Sequence, residues 1–338
     1  MAIDFRSDTV TRPTPAMLEC MFKAKVGDDV FGEDPSVNEL EAYATDLFGM
    51  EAAVFCASGT MTNQIAIKCH TQLAEEVICD QQSHIYQYEG GGIAFNSGCQ
   101  VKLLQGDRGR LTAHQILEAI NPNDIHKAIT SLVSLENTCN KGGGSCYDLG
   151  EIEKIRALCD YKGLKLHLDG ARLFNAMVAR NEKAADYGRV FDSISICLSK
   201  GLGAPVGSIL LGNKAFVNKA RRVRKVLGGG MRQAGYLAAA GLYALQHHVE
   251  RLSDDHRHAR QIAAALEEKD FVEDILPVET NIIIFKAGGR YNPGSLQEQL
   301  NTKGIQVIAV SATHVRMVVH LNITARMVAD TCAVIAEM

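Results

Sequence analysis

The sequence has no excess of basic residues, few prolines and no long apolar run. Lys and Arg total 35 against 39 Asp and Glu, a net charge of −4, which argues against a nucleic-acid binder. Seven prolines and 30 glycines in 338 residues exclude collagen-like proteins. No apolar run reaches the roughly 18 residues of a membrane-spanning helix, so we expect no membrane partner. The start, MAIDFRSDTV, has no apolar stretch, so we expect no secretory signal.

The ten cysteines do not have the spacing of a structural metal site. No two of them form a C-x-x-C pair, which is typical of zinc sites. Cys56 and Cys197 lie within apolar runs, which suits buried thiols in a cytoplasmic protein. Four histidines fall in segment 247–258, but neighbours one or two positions apart do not share a helix face. We therefore expect no metal ligands.

Strand and helix patterns alternate over the first 200 residues or so. A chain of 338 residues is long enough for about two domains. Short apolar runs followed by segments of helical periodicity are typical of a mainly parallel sheet with helices on both faces. The predicted strands are Ala52–Ala57, Glu76–Asp80, Gln100–Leu104, Ser131–Glu136, Leu164–Asp169, Ser193–Leu198 and Gly207–Leu211.

The pattern changes after Gly230. One long helix is predicted over Gln233–Leu252 and another over Asp255–Glu268. We place the domain boundary near residue 250, which gives a large domain of residues 1–250 and a small one of residues 251–338. The small domain is predicted to contain a closing helix and three short strands, Asn281–Phe285, Gln306–Val310 and Val315–His320.

The motif FCASGTMTNQ joins a predicted strand to a predicted helix. Gly59 permits a tight turn between Ser58 and Thr60, and Thr60 is a favourable N-cap residue. A helix N-terminus of this kind binds phosphate groups through its free N–H groups and its dipole. The motif matches neither the Walker loop nor G-x-G-x-x-G, and an ordinary strand–turn–helix junction has the same residues.

Two more predicted strands end at a charged residue. Asp169, in LKLHLDGARLFNA, either caps the next helix or is a buried anion that faces a cationic ligand atom. Arg172 is then its partner or an anion clamp. Lys200, in SISICLSKGLG, is either solvated or a nucleophilic amine among glycines. A non-catalytic nucleotide binder would leave Asp169 and Lys200 unexplained. A phosphate loop, a carboxylate and an amine are the parts that a pyridoxal phosphate site needs.

Motifs along almost the whole chain resemble the low-specificity L-threonine aldolases, which are pyridoxal phosphate enzymes of the aspartate-aminotransferase-like fold type I. The resemblance implies a three-layer α/β large domain with a mainly parallel seven-stranded sheet, and a small C-terminal α/β domain. It implies cleavage of L-threonine and L-allo-threonine to glycine and acetaldehyde. The alternatives are β-elimination, or cleavage of another β-hydroxy amino acid such as phenylserine. The motifs are DFRSDTVTRPTPAML, VGDDVFGEDPSVNELE, SGTMTNQIA, HLDGARLFNA, CLSKGLGAPVGS, GGGMRQAG and VRMVVHLN.

The resemblance also implies roles for particular residues. Lys200 would carry the cofactor covalently, Asp169 would pair with its ring nitrogen, and His84 would stack on the ring. His126 would lie near the substrate hydroxyl and act with His84 or through a water. The catalytic residues would be Lys200, His84 and His126, and the substrate carboxylate would bind Ser7, Arg172 and Arg316. The cofactor would bind Ser58, Gly59, Thr60, His84, Asp169, Arg172, Lys200, Lys225 and Arg232.

The resemblance further implies shared active sites and a place in metabolism. Lys225 and Arg232 would reach the cofactor across a subunit interface of a homo-oligomer, either a dimer or a tetrameric dimer of dimers. The enzyme would act in the cytoplasm, in threonine catabolism and glycine biosynthesis. The sequence departs from the family pattern at Cys139, where relatives have histidine, and at Asn322, where relatives often have aspartate. These departures leave the cofactor residues untouched.

Overall fold

The computed structural model describes residues 2–338. Its strands are β1 (Ile3–Asp4), β2 (Ala52–Cys56), β3 (Glu76–Asp80), β4 (Gln100–Leu104), β5 (Thr130–Glu136), β6 (Lys165–Gly170), β7 (Ser193–Cys197), β8 (Ser208–Gly212), β9 (Val272–Ile275), β10 (Ile282–Ala287), β11 (Ile305–Gln306), β12 (Ile308–Ala309) and β13 (His314–Val318). Its α-helices are α1 (Pro15–Lys23), α2 (Pro35–Phe48), α3 (Gly59–His70), α4 (His84–Gln87), α5 (Ala113–Ala119), α6 (Leu149–Lys162), α7 (Leu173–Arg180), α8 (Ala184–Val190), α9 (Lys214–Val226), α10 (Gly235–His247), α11 (Leu252–Glu267), α12 (Pro293–Thr302) and α13 (Ala325–Ala336).

The seven predicted strands of the first half form one sheet in the order β2-β8-β7-β6-β5-β3-β4. Strand β8 is antiparallel to both of its neighbours, and the other pairs are parallel. The prediction of a mainly parallel seven-stranded sheet is confirmed, and each strand end falls within one residue of its predicted position. Apolar runs identify most of these strands because both faces of the sheet are buried, whereas the edge strand β4 has no buried residue.

Alternate side chains of the sheet enter two separate hydrophobic clusters. On β2, Phe55 packs with α2, α6 and α10 in the larger cluster, whereas Val54 packs with α3 and α9 on the other face. On β8, Leu211 and Leu210 divide in the same way. This alternation follows from the two-residue repeat of a strand. The predicted three-layer arrangement of helices, sheet and helices is therefore confirmed.

Capping residues set the ends of helix α2. The carboxylate of Asp34 accepts hydrogen bonds from the backbone N–H groups of Ser36 and Val37, and Pro35 is the first helical residue. The helix ends at Gly49, whose φ of 62° is a left-handed conformation that favours glycine. Helix boundaries of this kind are local, so they depend on few residues.

The C-terminal part has its own antiparallel sheet, β12-β13-β10-β9, and its own hydrophobic cluster from Ala259 to Ile335. Phe5 belongs to this cluster, and β1 pairs in parallel with β11. The N-terminal segment, assigned above to the large domain, thus packs on the small one. The larger cluster ends at Leu252, which supports a boundary near residue 250, but the boundary itself stays a prediction.

Two predicted elements of the second half are corrected. The long helix predicted over Gln233–Leu252 is shorter, because α10 ends at His247 and α11 begins at Leu252. The ring of His248 bonds to the carbonyl of Leu202 at 2.7 Å where the helix stops. No glycine or proline marks this break in the sequence, so helical periodicity merges the two helices. The strand predicted over Gln306–Val310 is divided into β11 and β12, and β9 was not predicted.

Among residues 2–338, no helix combines the length and the apolar character needed to cross a bilayer.

Candidate active site

The carboxyl ends of β5, β6 and β7 meet at one edge of the main sheet, next to β12 and β13 of the small sheet. A cavity of about 380 Å³ opens at this edge. The fold brings residues from both ends of the chain to it. The cavity is lined by Ser7, Thr9, His84, Tyr88, Asn140, Lys141, Arg172, Lys200, Ile308, Val310 and Arg316.

The turn between β2 and α3 offers free hydrogen-bond donors. The N-cap of α3 is Ser58 and not, as predicted, Thr60, which lies in the first turn of the helix. The hydroxyl of Ser58 accepts from the N–H of Met61 at 3.2 Å. The N–H groups of Gly59 and Thr60 have no partner within the helix. The buried hydroxyl of Ser208 has no hydrogen-bond partner in residues 2–338, and it lies 3.6 Å from the place a Cβ on Gly59 would take. These donors and the helix dipole fit a phosphate group.

Asp169 and Lys200 follow neighbouring strands. Asp169 is 2% exposed, and its carboxylate accepts from the amide of Asn63 at 2.9 Å and from a backbone N–H at 3.0 Å. Gly170 is required next, because a Cβ there would lie 2.5 Å from the carbonyl oxygen of Ser195. Lys200 comes three residues after β7 and lines the cavity. The residues present therefore fit pyridoxal phosphate.

Glu136 is a second buried carboxylate at the same edge. It is the register partner of Asp169 on the neighbouring strand. Its oxygens accept from the backbone N–H of His84 at 2.7 Å and of Asn140 at 2.9 Å. Burial, and then the charge of Asp169, raises the pKa of Glu136 to about 7. The group thus changes charge near neutral pH.

His84 has a buried carboxylate partner. Its Nδ1 lies 3.0 Å from Oε1 of Glu89, which also accepts from Gln64 through its other oxygen at 2.6 Å. Burial lowers the pKa of His84, but the hydrogen bond of Glu89 and the charge of Asp169 outweigh it, so the pKa lies above 6.5. An imidazole with a carboxylate partner can serve as a proton acceptor or donor. Its predicted stacking on the cofactor stays a prediction.

Arg172 is already paired with a residue that sequence analysis did not single out. Its Nε and Nη2 donate to the two oxygens of Asp8 at 2.7 Å each, and Asp8 is fully buried. Burial raises the pKa of Asp8, but the guanidinium outweighs this and holds the pKa below its ordinary value. Arg172 nevertheless lines the cavity, and its predicted binding of the cofactor and of the substrate carboxylate stays a prediction. The fork of Arg172 binds Asp8, and its Nη1 lies 3.4 Å from Oδ1 of Asn140.

Arg316 keeps part of its guanidinium unpaired. Its Nη1 donates to Oδ1 of Asn140 at 3.2 Å and its Nη2 to the carbonyl of Arg6 at 3.1 Å. Its Nε is buried and has no partner within the described chain. Burial, and then the charge of Arg172, lowers the pKa of Arg316. Two cations beside the hydroxyl of Ser7 make this end of the cavity suitable for a carboxylate.

His126 does not reach the cavity of its own chain. Its side chain is 82% exposed and pairs with Asp124 at 2.8 Å in the loop before β5. That loop enters β5 at its amino end, and seven residues at about 3.3 Å each separate it by roughly 20 Å from the opposite edge. The predicted place of His126 beside the substrate hydroxyl is therefore corrected for a site built from a single chain.

The segment from Lys225 to Arg232 passes the N-terminus of α3. A Cβ on Gly229 would lie 2.5 Å from the sulfur of Met61 in the first turn of that helix. The side chain of Arg232 is about half exposed and pairs with Asp28 at 2.8 Å. Contacts of Lys225 and Arg232 with a cofactor across an interface stay predictions.

Sequence analysis missed five residues that shape this site, namely Asp8, Asn63, Glu89, Glu136 and Asn140. Glu136 had a local signal, because it ends a predicted apolar strand just as Asp169 ends the next. Asp8, Asn63 and Asn140 had none, since their side chains meet partners that are distant along the chain. Glu89 lies only five positions after His84, but no pattern in the sequence marked it as the partner.

Solved structures share this fold. The chain superposes on threonine aldolase from Leishmania major with a TM-score of 0.87, at 23% identity over 99% of both chains. It also superposes on serine palmitoyltransferase from Sphingomonas wittichii with a TM-score of 0.77, at 13% identity over 99% of this chain and 86% of the other. At such identities the likeness concerns the fold alone.

Sequence relatives are much closer. The low specificity L-threonine aldolase of Escherichia coli K12 is 42% identical over 98% of this chain and 97% of its own length. A low-specificity L-threonine aldolase of Arabidopsis thaliana is 41% identical over 96% of this chain and 92% of its own length. Residues 4–288 match the beta-eliminating lyase family. The chain therefore belongs to the beta-eliminating lyase family and, within it, to the group of the low-specificity L-threonine aldolases.

Proposed function

We propose that this protein uses pyridoxal phosphate to cleave L-threonine and L-allo-threonine to glycine and acetaldehyde. The observation that carries the proposal is the placement of Lys200, Asp169 and the N-terminus of α3 at one sheet edge, beside Arg316. The names of the relatives support the same substrate. They do not favour the alternatives of β-elimination or of cleavage of another β-hydroxy amino acid.

Different residues of the cavity have different roles in this reaction. The cofactor, when bound, supplies a π system that accepts the electrons released at the α-carbon of the substrate. Lys200 would hold the cofactor through Nζ, and the charge of Asp169 would keep a proton on its ring nitrogen. Ser7, Arg172 and Arg316 would bind the substrate carboxylate. Because Nδ1 of His84 faces Glu89, its Nε2 is left to take the proton of the β-hydroxyl.

The direct test starts from cofactor-free protein. Addition of pyridoxal phosphate is expected to produce a visible absorption band, and L-threonine is then expected to yield equal amounts of acetaldehyde and glycine. L-Serine and phenylserine are assayed in parallel. Protein without the band contradicts the cofactor, whereas a band with turnover of phenylserine alone, or pyruvate from L-serine, supports the alternatives.

The Glu89→Gln variant tests the histidine. Neutral His84 is the base, so kcat/KM rises with pH through a midpoint that the carboxylate of Glu89 holds above 6.5. Loss of that negative charge lowers the pKa of His84, so we expect the midpoint to move down by about one pH unit. A full pH–rate profile measures the shift. An unchanged midpoint, or a shift to higher pH, contradicts this role of His84.

We infer that the active unit is a homo-oligomer, either a dimer or a dimer of dimers, with sites shared between chains. Large apolar side chains are exposed close to the segment Lys225–Arg232, with Phe31 at 73% and Val226 at 85%. Arg232 lies over the ring of Phe31 at 6.0 Å. An exposed apolar patch of this kind supports a subunit interface. Arg232, Lys225 and the distant His126 would then serve the site of a neighbouring chain.

Hybrid oligomers test the shared site. Mixing Lys200→Ala chains with Arg232→Ala chains is expected to restore activity to about a quarter of wild type, because half of random dimers then have one intact site. Activity and native mass of the mixture are measured, with each variant mixed with itself as the control. No restoration in confirmed hybrids means that Arg232 acts within its own chain.

The place of the reaction in the cell is part of the proposal. All ten cysteines are free thiols, which supports a reducing compartment, and we propose the cytoplasm. The products suit threonine catabolism and the formation of glycine.

A further inference from the structure

Asn63 lies at the centre of a buried hydrogen-bonded cluster beside the active site. It is 1% exposed, within the first turns of α3. Its Nδ2 donates to Oδ2 of Asp169 and to Oε1 of Glu89, both at 2.9 Å. The same oxygen of Glu89 bonds to Nδ1 of His84. One amide group therefore links the carboxylate that serves the cofactor to the carboxylate that serves the base.

The ring of His167 determines which way the amide of Asn63 points. Nδ2 of Asn63 donates to two carboxylates, so its Oδ1 is the acceptor for Nε2 of His167 at 3.2 Å. Burial lowers the pKa of His167 to about 4, so the ring is neutral at neutral pH. With the proton on Nε2, its Nδ1 accepts from the hydroxyl of Ser193 at 2.8 Å.

The cluster ends at His70, the last residue of α3. Its Nε2 lies 2.8 Å from the hydroxyl of Ser193, and its ring stacks on Phe216 with centroids 4.5 Å apart. Burial lowers the pKa of His70 to about 3, so this ring is neutral as well. His70 then donates to Ser193, Ser193 to His167, and His167 to Asn63. Asn63 in turn donates to Asp169 and Glu89. The amide of Asn63 cannot turn over without breaking this sequence of hydrogen bonds.

We propose that Asn63 is a positioning residue that holds the side chains of Asp169 and Glu89 together through its NH₂ group, so that one hydrogen-bonded unit serves both the cofactor ring and His84. The inference rests on the proposed function. Ligand atoms of His84, Glu89 and Asp169 lie within 4.8 Å of one another, so the two carboxylates repel unless a donor is shared between them. The amide supplies that donor to both at once.

Two substitutions of Asn63 distinguish the effect of its NH₂ donor from the effect of its side-chain shape. Asn63→Ala removes the side chain, whereas Asn63→Asp keeps the shape and replaces the NH₂ donor by an oxygen. A purely steric role predicts that Asn63→Asp is the milder change. The proposed role predicts that Asn63→Asp is as harmful as Asn63→Ala at pH 8, because a third carboxylate then faces the other two. It also predicts that the cofactor affinity of Asn63→Asp recovers in acid, where a protonated carboxyl can donate.

The matched control is Thr71→Val. Thr71 is 3% exposed directly after α3, and its hydroxyl donates to the carbonyl of Ile67 at 2.8 Å, away from the carboxylates. The substitution removes a buried polar group from the same helix region, so it reports the general cost of such a change.

The measurements are the dissociation constant of pyridoxal phosphate from titration of cofactor-free protein, and the pH profile of kcat/KM. For Asn63→Ala and Asn63→Asp we expect about 10-fold weaker cofactor binding and about 10- to 100-fold lower kcat at pH 8. In Asn63→Ala we expect the acid limb of the kcat/KM profile to move to higher pH. Glu89 without the hydrogen bond from Asn63 stabilises protonated His84 more strongly, so the pKa of His84 rises. The charges of Asp169, Lys200 and Glu136 also act on the pKa of His84, and these three residues are unchanged. Thr71→Val is expected to have the cofactor affinity, the kcat and the pH profile of wild type.

The inference is overturned if Asn63→Asp has the cofactor affinity and kcat of wild type at pH 8. It is also overturned if Asn63→Ala changes neither the acid limb of kcat/KM nor the cofactor affinity. If Asn63→Ala does not fold, His167→Leu gives the same test, because it removes the bond that orients the amide. Failure of the proposed function is distinguishable, since wild type itself would then not bind the cofactor or cleave L-threonine.

Discussion

The Lys200→Ala variant is expected to lose turnover of L-threonine by at least about 10³-fold while its fold stays intact. Lys200 lines the cavity three residues after β7, at the edge where Asp169 is the next-to-last residue of β6. Its amine is the group that would hold the cofactor and pass protons to and from it. An alanine there leaves no nucleophile at this position, whereas Asp169 and the turn before α3 are unchanged and can still bind the cofactor non-covalently.

Three measurements check this result. Turnover is followed as acetaldehyde formed, thermal unfolding reports the fold, and borohydride reduction followed by peptide mapping identifies the residue linked to the cofactor. Lys214→Ala is the control, because Lys214 is exposed at the start of α9. Normal turnover by Lys200→Ala, or a cofactor adduct on another lysine, contradicts the assignment.

The Arg316→Lys variant is expected to lose about 10²- to 10³-fold in kcat/KM with little change in cofactor affinity. The guanidinium of Arg316 is held by Asn140 and by the carbonyl of Arg6, and its buried Nε is unpaired. A guanidinium can bind a carboxylate through two parallel hydrogen bonds, whereas a lysine amine cannot reproduce this fork. The substrate carboxylate would therefore lose a bidentate contact although the positive charge remains.

Steady-state kinetics and cofactor titration separate these effects. Arg326→Lys is the matched control, because the side chain of Arg326 is 91% exposed in the same small domain. It is expected to match wild type in both measurements. If Arg316→Lys instead loses the cofactor and keeps kcat/KM per bound cofactor, Arg316 does not bind the substrate carboxylate.

The seven strands of the main sheet and the chemistry at their ends could be predicted from the sequence. Strands buried on both faces are continuous apolar runs, so their limits are visible without knowledge of their neighbours. Ser58, Asp169 and Lys200 each lie where such a run stops. Parallel strands end at a common edge, so local position was sufficient to bring these residues to one site.

The environment of each of these residues was decided by the tertiary structure. Arg172 binds Asp8, which is 164 positions away, and Asn63 binds Asp169 across 106 positions. Such contacts depend on which strands and helices become neighbours, and the periodicity of a single element contains no information about them.

By itself the sequence determined the seven strands of the mainly parallel sheet and the polar residues at the ends of those strands, because each depends on a short segment of chain. Only the tertiary structure decided that Arg172 pairs with Asp8, that His126 lies at the opposite edge of the sheet, and that His84 has Glu89 as its partner. The reason is physical: burial makes an unpaired charge or polar group costly, so these side chains take whatever partner the packing brings within reach.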